Sequence, residues 1–103
     1  MFANTPEPPY YAVIFTSTKI HEDRGYLAMS EQMVTLVQQQ EGFLGFESAR
    51  EEIGITVSYW RDEASILAWK AQIEHQKAQA KGKSTLYTDY RIRIAKVERD
   101  YAK

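Results

Sequence analysis

Residues 43–60 read FLGFESAREEIGITVSYW. Two β-prone runs flank Gly54, and in the second Ile55, Val57 and Tyr59 alternate with Thr56, Ser58 and Trp60. A period of two marks a strand whose faces meet different surroundings. The pair is expected to form a hairpin of strand two (43–52) and strand three (55–60), with Gly54 supplying a positive φ in the turn.

On the N-terminal side of this hairpin, Tyr26, Met29, Met33, Leu36 and Val37 recur at helical spacing. They predict helix one over 26–40, capped by Asp23 and stopped at Gly42. On the C-terminal side, Asp62 is an N-cap, Glu63 complements the helix dipole, and Ile66, Trp69 and Ile73 form an apolar stripe with Leu67 beside it. Helix two is expected to run to about Lys81 and stop at Gly82. Beyond the helices lie two more strands. YAVIFTST (11–18) is β-branched and aromatic, and in TDYRIRIAKVER (88–99) Tyr90, Ile92 and Ile94 alternate with Arg91 and Arg93.

The order βαββαβ in so short a chain predicts an α+β, ferredoxin-like fold: one four-stranded, mainly antiparallel sheet with two helices on one face. A right-handed crossover is expected to lay strand one parallel to strand three. Two helices cover only one face of such a sheet, yet strands one and three are apolar in both phases. The bare face is therefore expected to meet a second copy of the chain, giving a homodimer.

The chain has 103 residues and fits one domain, 10–103, after a Pro-rich lead-in, 1–9. Its formal charge of −1 leaves no basic excess, so neither nucleic acid nor a membrane surface is an expected partner. No apolar run reaches the roughly 20 residues of a membrane span. The absence of cysteine excludes disulfides, thiolate metal sites and cysteine nucleophiles, and goes with a cytoplasmic location. Two histidines, His21 and His75, do not suggest a metal site.

The segments AVIFTS (12–17), EGFLGFESAR (41–50), GITVSYW (54–60), AWKAQIEHQKAQAKGK (68–83) and YTDYRI (87–92) resemble the antibiotic biosynthesis monooxygenase family, in particular its short stand-alone bacterial members. That resemblance implies a dimeric α+β barrel. It also implies a small monooxygenase that uses O2, without a cofactor, on an electron-rich aromatic such as a phenol, quinol or polyketide-like ring. The pocket would lie between helix two and the sheet. His75 and Tyr87 are the catalytic candidates, as base and hydroxyl partner. Trp60, Trp69, Phe46, Tyr59 and Tyr90 are the substrate-binding candidates. Trp60 ends strand three, so one ring edge is expected at an opening, whereas the stripe position of Trp69 also suits a core anchor.

Two alternatives stand beside this reading. One is a haem-binding or haem-degrading protein with His75 as ligand. The haem-degrading branch carries an Asn on strand one, a Trp in helix two and a His near the end of that helix. Trp69 matches the Trp, the His position falls near Gln79 with His75 one turn earlier, and the chain's one Asn is Asn4. The other alternative is a non-catalytic dimeric module that binds a small aromatic molecule.

Overall fold

Strand, helix, hairpin, helix and strand follow in the predicted order. The computed structural model describes residues 2–19, 26–79 and 87–103. The elements are β1 Tyr10–Lys19, α1 Tyr26–Gln38, β2 Phe43–Arg50, β3 Gly54–Trp60, α2 Glu63–Gln79 and β4 Tyr87–Val97. The caps expected at Asp23 and Gly82 lie outside the described residues. No helix among the described residues is long and apolar enough to cross a membrane.

The strands are ordered β2-β3-β1-β4, and every neighbouring pair is antiparallel. This corrects the expected parallel pairing of strands one and three. The crossover through α1 makes β1 run in the direction of β2. The hairpin then reverses the chain, so β3, inserted between them, is antiparallel to both.

The register sets Tyr11, Val13 and Phe15 opposite Trp60, Ser58 and Thr56 on one face. That face meets the helices. Trp60, Val37 of α1 and Ile66 of α2 form the buried cluster, with Tyr11, Val13, Phe43 and Trp69 packed against it. Trp60 is 0% exposed, so the expectation of a ring edge at an opening is corrected. Phe43 meets its ring edge-on at 5.3 Å, Trp69 stacks at 6.1 Å, and the indole N–H donates to Ser58 Oγ at 2.9 Å. A buried indole needs that acceptor, and Ser58 supplies it from the same strand face.

A second joint ties the α1–β2 turn to the start of α2. The backbone N–H of Arg61 donates to the Gly42 carbonyl at 2.8 Å. Asp62 caps α2 as expected, accepting the Ser65 backbone N–H at 2.8 Å and its hydroxyl at 2.7 Å. Gly42 has φ +85°, and a Cβ there would overlap Ser65 Oγ. Glycine is required on both counts.

Gly54 differs from its expected role. Residues 51–53 make the turn, with Glu51 N–H donating to the Ile53 carbonyl at 3.1 Å, and Gly54 already pairs with Arg50 as the first residue of β3. Its φ is not positive. The missing side chain instead makes room for the Arg50 guanidinium, which donates to Ser17 Oγ.

Gly42→Ala should therefore lower stability by about 1–3 kcal/mol, from backbone strain and the Ser65 overlap. Gly54→Ala should cost less, because the tip of a flexible arginine can move aside. Urea midpoints of the two variants measure the order, and a larger loss at Gly54 would contradict this account of the two turns.

Candidate functional site

The helices sit over β2 and β3, α1 on the first and α2 on the second. β4, at the far edge of the sheet, is left uncovered on its apolar phase. Tyr90, Ile92 and Ile94 share the helix-side face with Phe15 and Val13, yet they are 50%, 52% and 54% exposed. Between this strip and α2 lies a cavity of about 90 Å³ lined by Glu63, Ile66, Leu67 and Ile94. Leu67, on the rim, is 66% exposed. The result is an apolar groove open along β4, with the tilted Phe15–Tyr90 ring pair, centroids 5.7 Å apart, farther along the same face.

The predicted site residues divide among several places. Trp69 and Phe46 are half-buried on the helix side, Trp69 against Trp60 and Phe46 against Phe43 at 6.4 Å. Tyr90 is on the groove strip. Trp60 is sealed in the core. Tyr59 points to the opposite, helix-free face, because it neighbours the inward Trp60 on a strand. His75 is exposed on α2, on a side shared with exposed Ala68 and Ala71. At 100° per residue it is turned roughly 80° from Leu67, so it is not a wall of the groove. Tyr87 opens β4 opposite Lys19, and its side chain lies outside the described residues.

Sequence reading expected a pocket between helix two and the sheet but assigned to it none of the residues that line this groove, Glu63, Ile66, Leu67 and Ile94. Its signal was present in Ile92 and Ile94, two large apolar residues alternating with arginines on an edge strand, and in Leu67 beside the helix stripe. No group of three His, Cys, Asp or Glu side chains suited to a metal ion occurs among the described residues.

Comparison with known proteins now bears on this arrangement. The family model described as antibiotic biosynthesis monooxygenase matches residues 9–81. The chain belongs to that family. The uncharacterized protein YqjZ of Bacillus subtilis is 52% identical over 99 residues, covering 94% of this chain and 87% of that protein. The jasmonate monooxygenase ABM of Pyricularia oryzae is 29% identical over 92 residues. That match covers 84% of this chain, which spans only 43% of the fungal protein. Among solved structures, the heme-degrader MhuD of Mycobacterium tuberculosis, with two hemes bound in its active site, has a TM-score of 0.57 at 19% identity. The alignment covers 88% of this chain and 99% of MhuD, and at that identity it speaks for the fold alone.

On the helix-free face this family member carries a second polar arrangement, and the N-terminal segment takes part in it. The Tyr59 hydroxyl donates to Glu47 Oε1 at 2.7 Å, and the Ala3 backbone N–H donates to Oε2 at 2.8 Å. Ala3 comes close to Gly45, whose φ of +148° marks the irregularity between Phe43 and Gly45 in the β2–β3 ladder; a Cβ on Gly45 would stand 3.2 Å from that of Ala3. Thr5 donates to the Tyr10 hydroxyl at 3.1 Å, and Tyr10 donates to Asp100. The rings of Tyr10 and Tyr59 meet edge-on at 5.8 Å. The two terminal segments thus strap one end of the helix-free face, where Tyr10 and Ala12 are buried.

The charges follow from these bonds. The Tyr59 hydroxyl and the Ala3 N–H hold the Glu47 carboxyl below its ordinary value. Burial, then the bond to Glu47, pushes the Tyr59 phenol up to about 12. The Asp100 bond raises Tyr10.

The two shifts act at opposite ends of the pH scale. Glu47 has a depressed folded-state pKa, so its contribution is fully present above the unfolded value, 4.5, and is lost as pH falls through the folded one. Tyr59 has a raised pKa, so its contribution is fully present below 10.0 and is lost as pH rises toward about 12. Urea unfolding across pH should show both losses. Glu47→Gln should flatten the acid limb and Tyr59→Phe the alkaline limb; limbs unchanged by these variants would mean that other groups carry them.

Proposed function

We propose that the chain is a small monooxygenase that works as a homodimer. It would take an electron-rich aromatic, a phenol, quinol or polyketide-like ring, together with O2 and without a resident cofactor. The observation that carries this reading is the apolar groove between α2 and β4, inside a fold of the monooxygenase family. An enclosed ligand site typically measures about 300 Å³ or more, so a ring seated in this groove keeps one edge toward the open side. Ile66, Leu67 and Ile94 would hold its apolar body, with Tyr90 as a hydroxyl partner and Trp69 packed behind Ile66; Phe46, on β2 at the opposite edge of the sheet, stands apart from it.

The chemistry asked of the protein is modest. An electron-rich ring that loses a proton becomes an anion able to reduce O2 itself: a phenol is oxidised to a quinone and supplies all four electrons, one oxygen atom becoming the new ring carbonyl and the other leaving as water with the displaced C–H and O–H hydrogens. The protein orients the ring, excludes water from one of its faces and moves the proton. The Tyr90 hydroxyl, on the groove strip, is proposed as the proton-handling group; His75, turned away from the groove, and Tyr87, at the opposite end of β4 from Ile94, are out of reach of a ring seated there. A cytoplasmic location goes with the cysteine-free composition.

A second reading is favoured by the exposure of His75: haem bound outside the groove, with His75 as ligand. Haem would supply the oxygen chemistry there, and Trp69 is the position shared with the haem-degrading branch. Groove and histidine lie on different sides of α2, which makes the two readings separable.

Oxygen uptake with a panel of quinols and anthrones tests the first reading. Leu67→Trp, which fills the groove, should abolish uptake, whereas His75→Ala should leave uptake near the parent's and stability within about 1 kcal/mol of it. No uptake with any substrate, together with a Soret shift on adding haem that disappears in His75→Ala and persists in Leu67→Trp, would replace the first reading by the second. Failure of both assays leaves the non-catalytic module.

A further inference from the structure

Four oxidisable rings run in a line from one face of the sheet to the other. Trp69 of α2 packs behind Ile66, which lines the groove, and stacks on Trp60 with centroids 6.1 Å apart and planes 29° apart. Trp60 and Tyr59 are consecutive on β3, so their rings leave the strand on opposite faces from Cα atoms about 3.8 Å apart. Tyr59 meets Tyr10 edge-on at 5.8 Å. The groove stands at one end of this line and the exposed Asp100, bonded to Tyr10, at the other.

The two phenols are held differently from the indole between them and Trp69. Each phenol donates to a carboxylate, Tyr59 to Glu47 Oε1 at 2.7 Å and Tyr10 to Asp100, whereas the Trp60 N–H donates to the neutral Ser58 hydroxyl. Burial asks only for an acceptor, which a carbonyl would supply as well. Oxidation asks for more. An indole that loses one electron can persist as a cation, but a phenol must shed its proton as the electron leaves. A carboxylate that already holds the hydrogen bond takes that proton without any group moving.

We propose that Trp69, Trp60, Tyr59 and Tyr10 form an electron-hopping route that quenches stray oxidants made in the groove. The source of the oxidant rests on the monooxygenase reading above. A substrate ring radical that adds O2 becomes a peroxyl radical, an oxidant strong enough for indole. One electron from Trp69 and one proton from water reduce it to a hydroperoxide. Trp60 refills Trp69, and Tyr59 refills Trp60 as its proton moves to Glu47. Tyr10 then refills Tyr59: Glu47 returns its proton to the Tyr59 oxygen, and the Tyr10 proton goes to Asp100. The hole rests on Tyr10, which is 4% exposed beneath the terminal strap. A small one-electron reductant at Asp100, a thiolate or ascorbate, supplies an electron, and Asp100 hands the proton back. The sum is one electron and one proton delivered to each peroxyl radical.

The cysteine-free chain lets the route be fired from a chosen point. Leu67→Cys, on the exposed rim of the groove, takes a maleimide-linked ruthenium tris-bipyridine, and a laser flash with hexaammineruthenium(III) as quencher turns the label into a one-electron oxidant. Transient absorption should show an indole radical converting to a phenoxyl radical, with the conversion slower in D2O. Tyr59→Phe should abolish the phenoxyl and leave the indole radical. Glu47→Gln keeps an acceptor but removes the base, and should slow the conversion by roughly tenfold or more. Tyr11→Phe and Tyr90→Phe, on the helix side of the sheet, should change neither yield nor rate. A phenoxyl that survives Tyr59→Phe or vanishes with Tyr11→Phe or Tyr90→Phe would overturn the route, as would an indole radical that never converts in the labelled parent. If Tyr59→Phe does not fold, Glu47→Gln decides in its place, and a rate equal to the parent's overturns the route. The flash supplies its own oxidant, so an absence of oxygen uptake would remove the monooxygenase reading while the hopping route is read independently.

Discussion

One indole sets the frame for everything else. Trp60 closes β3 with its ring among Val37, Ile66, Tyr11, Val13, Phe43 and Trp69, so both helices and three strands touch or surround the same side chain. Because strand side chains alternate, burying Trp60 toward the helices sends Tyr59, Val57 and Ile55 to the other side. A slip of one residue would exchange the whole set. The Ser58 hydroxyl that accepts the indole N–H belongs to the same parity, so the polar bond and the packing select the same register.

From that placement the asymmetry of the molecule follows. The helices gather over β2 and β3, where the large rings are, and β4 is left with an apolar phase half open to solvent. The groove and the bare strip of Tyr90, Ile92 and Ile94 are consequences of covering four strands with two helices set to one side. The helix-free face shows the other consequence. Its Tyr10 end is strapped by residues near both termini, while its middle rows keep aliphatic residues flanked by an acidic and a basic edge. A member of the monooxygenase family thus offers two surfaces of different character, one an apolar groove, one patterned in charge and extended.

Much of the fold was legible in the chain. The alternation in 55–60, the stripe Ile66–Trp69–Ile73 and the Asp62 cap each report a local geometry, and local geometry is set by nearest neighbours along the chain. The candidate site was legible only in part. Tyr59 and Trp60 are adjacent letters and both read as substrate-binding candidates of one pocket, yet a strand sends them to opposite faces. His75 reads as a catalytic candidate on α2, but whether it faces a pocket depends on what α2 packs against, and it is exposed. Gly54 read as a turn glycine because it sits between two strands. Its actual constraint is the arginine lying across it, a contact that spacing does not encode.

The sequence by itself determined the element order, the antiparallel class, the two-phase apolar strands and, through the quoted segments, the family, because these depend on periodicity and on residue types that follow one another. Only the tertiary structure decided that β1 and β3 are antiparallel, that Trp60 is sealed, that β4 borders a groove, and that Glu47 and Arg93 end the same row. Each of these is a relation between residues far apart in the chain, set by how far two helices reach across four strands.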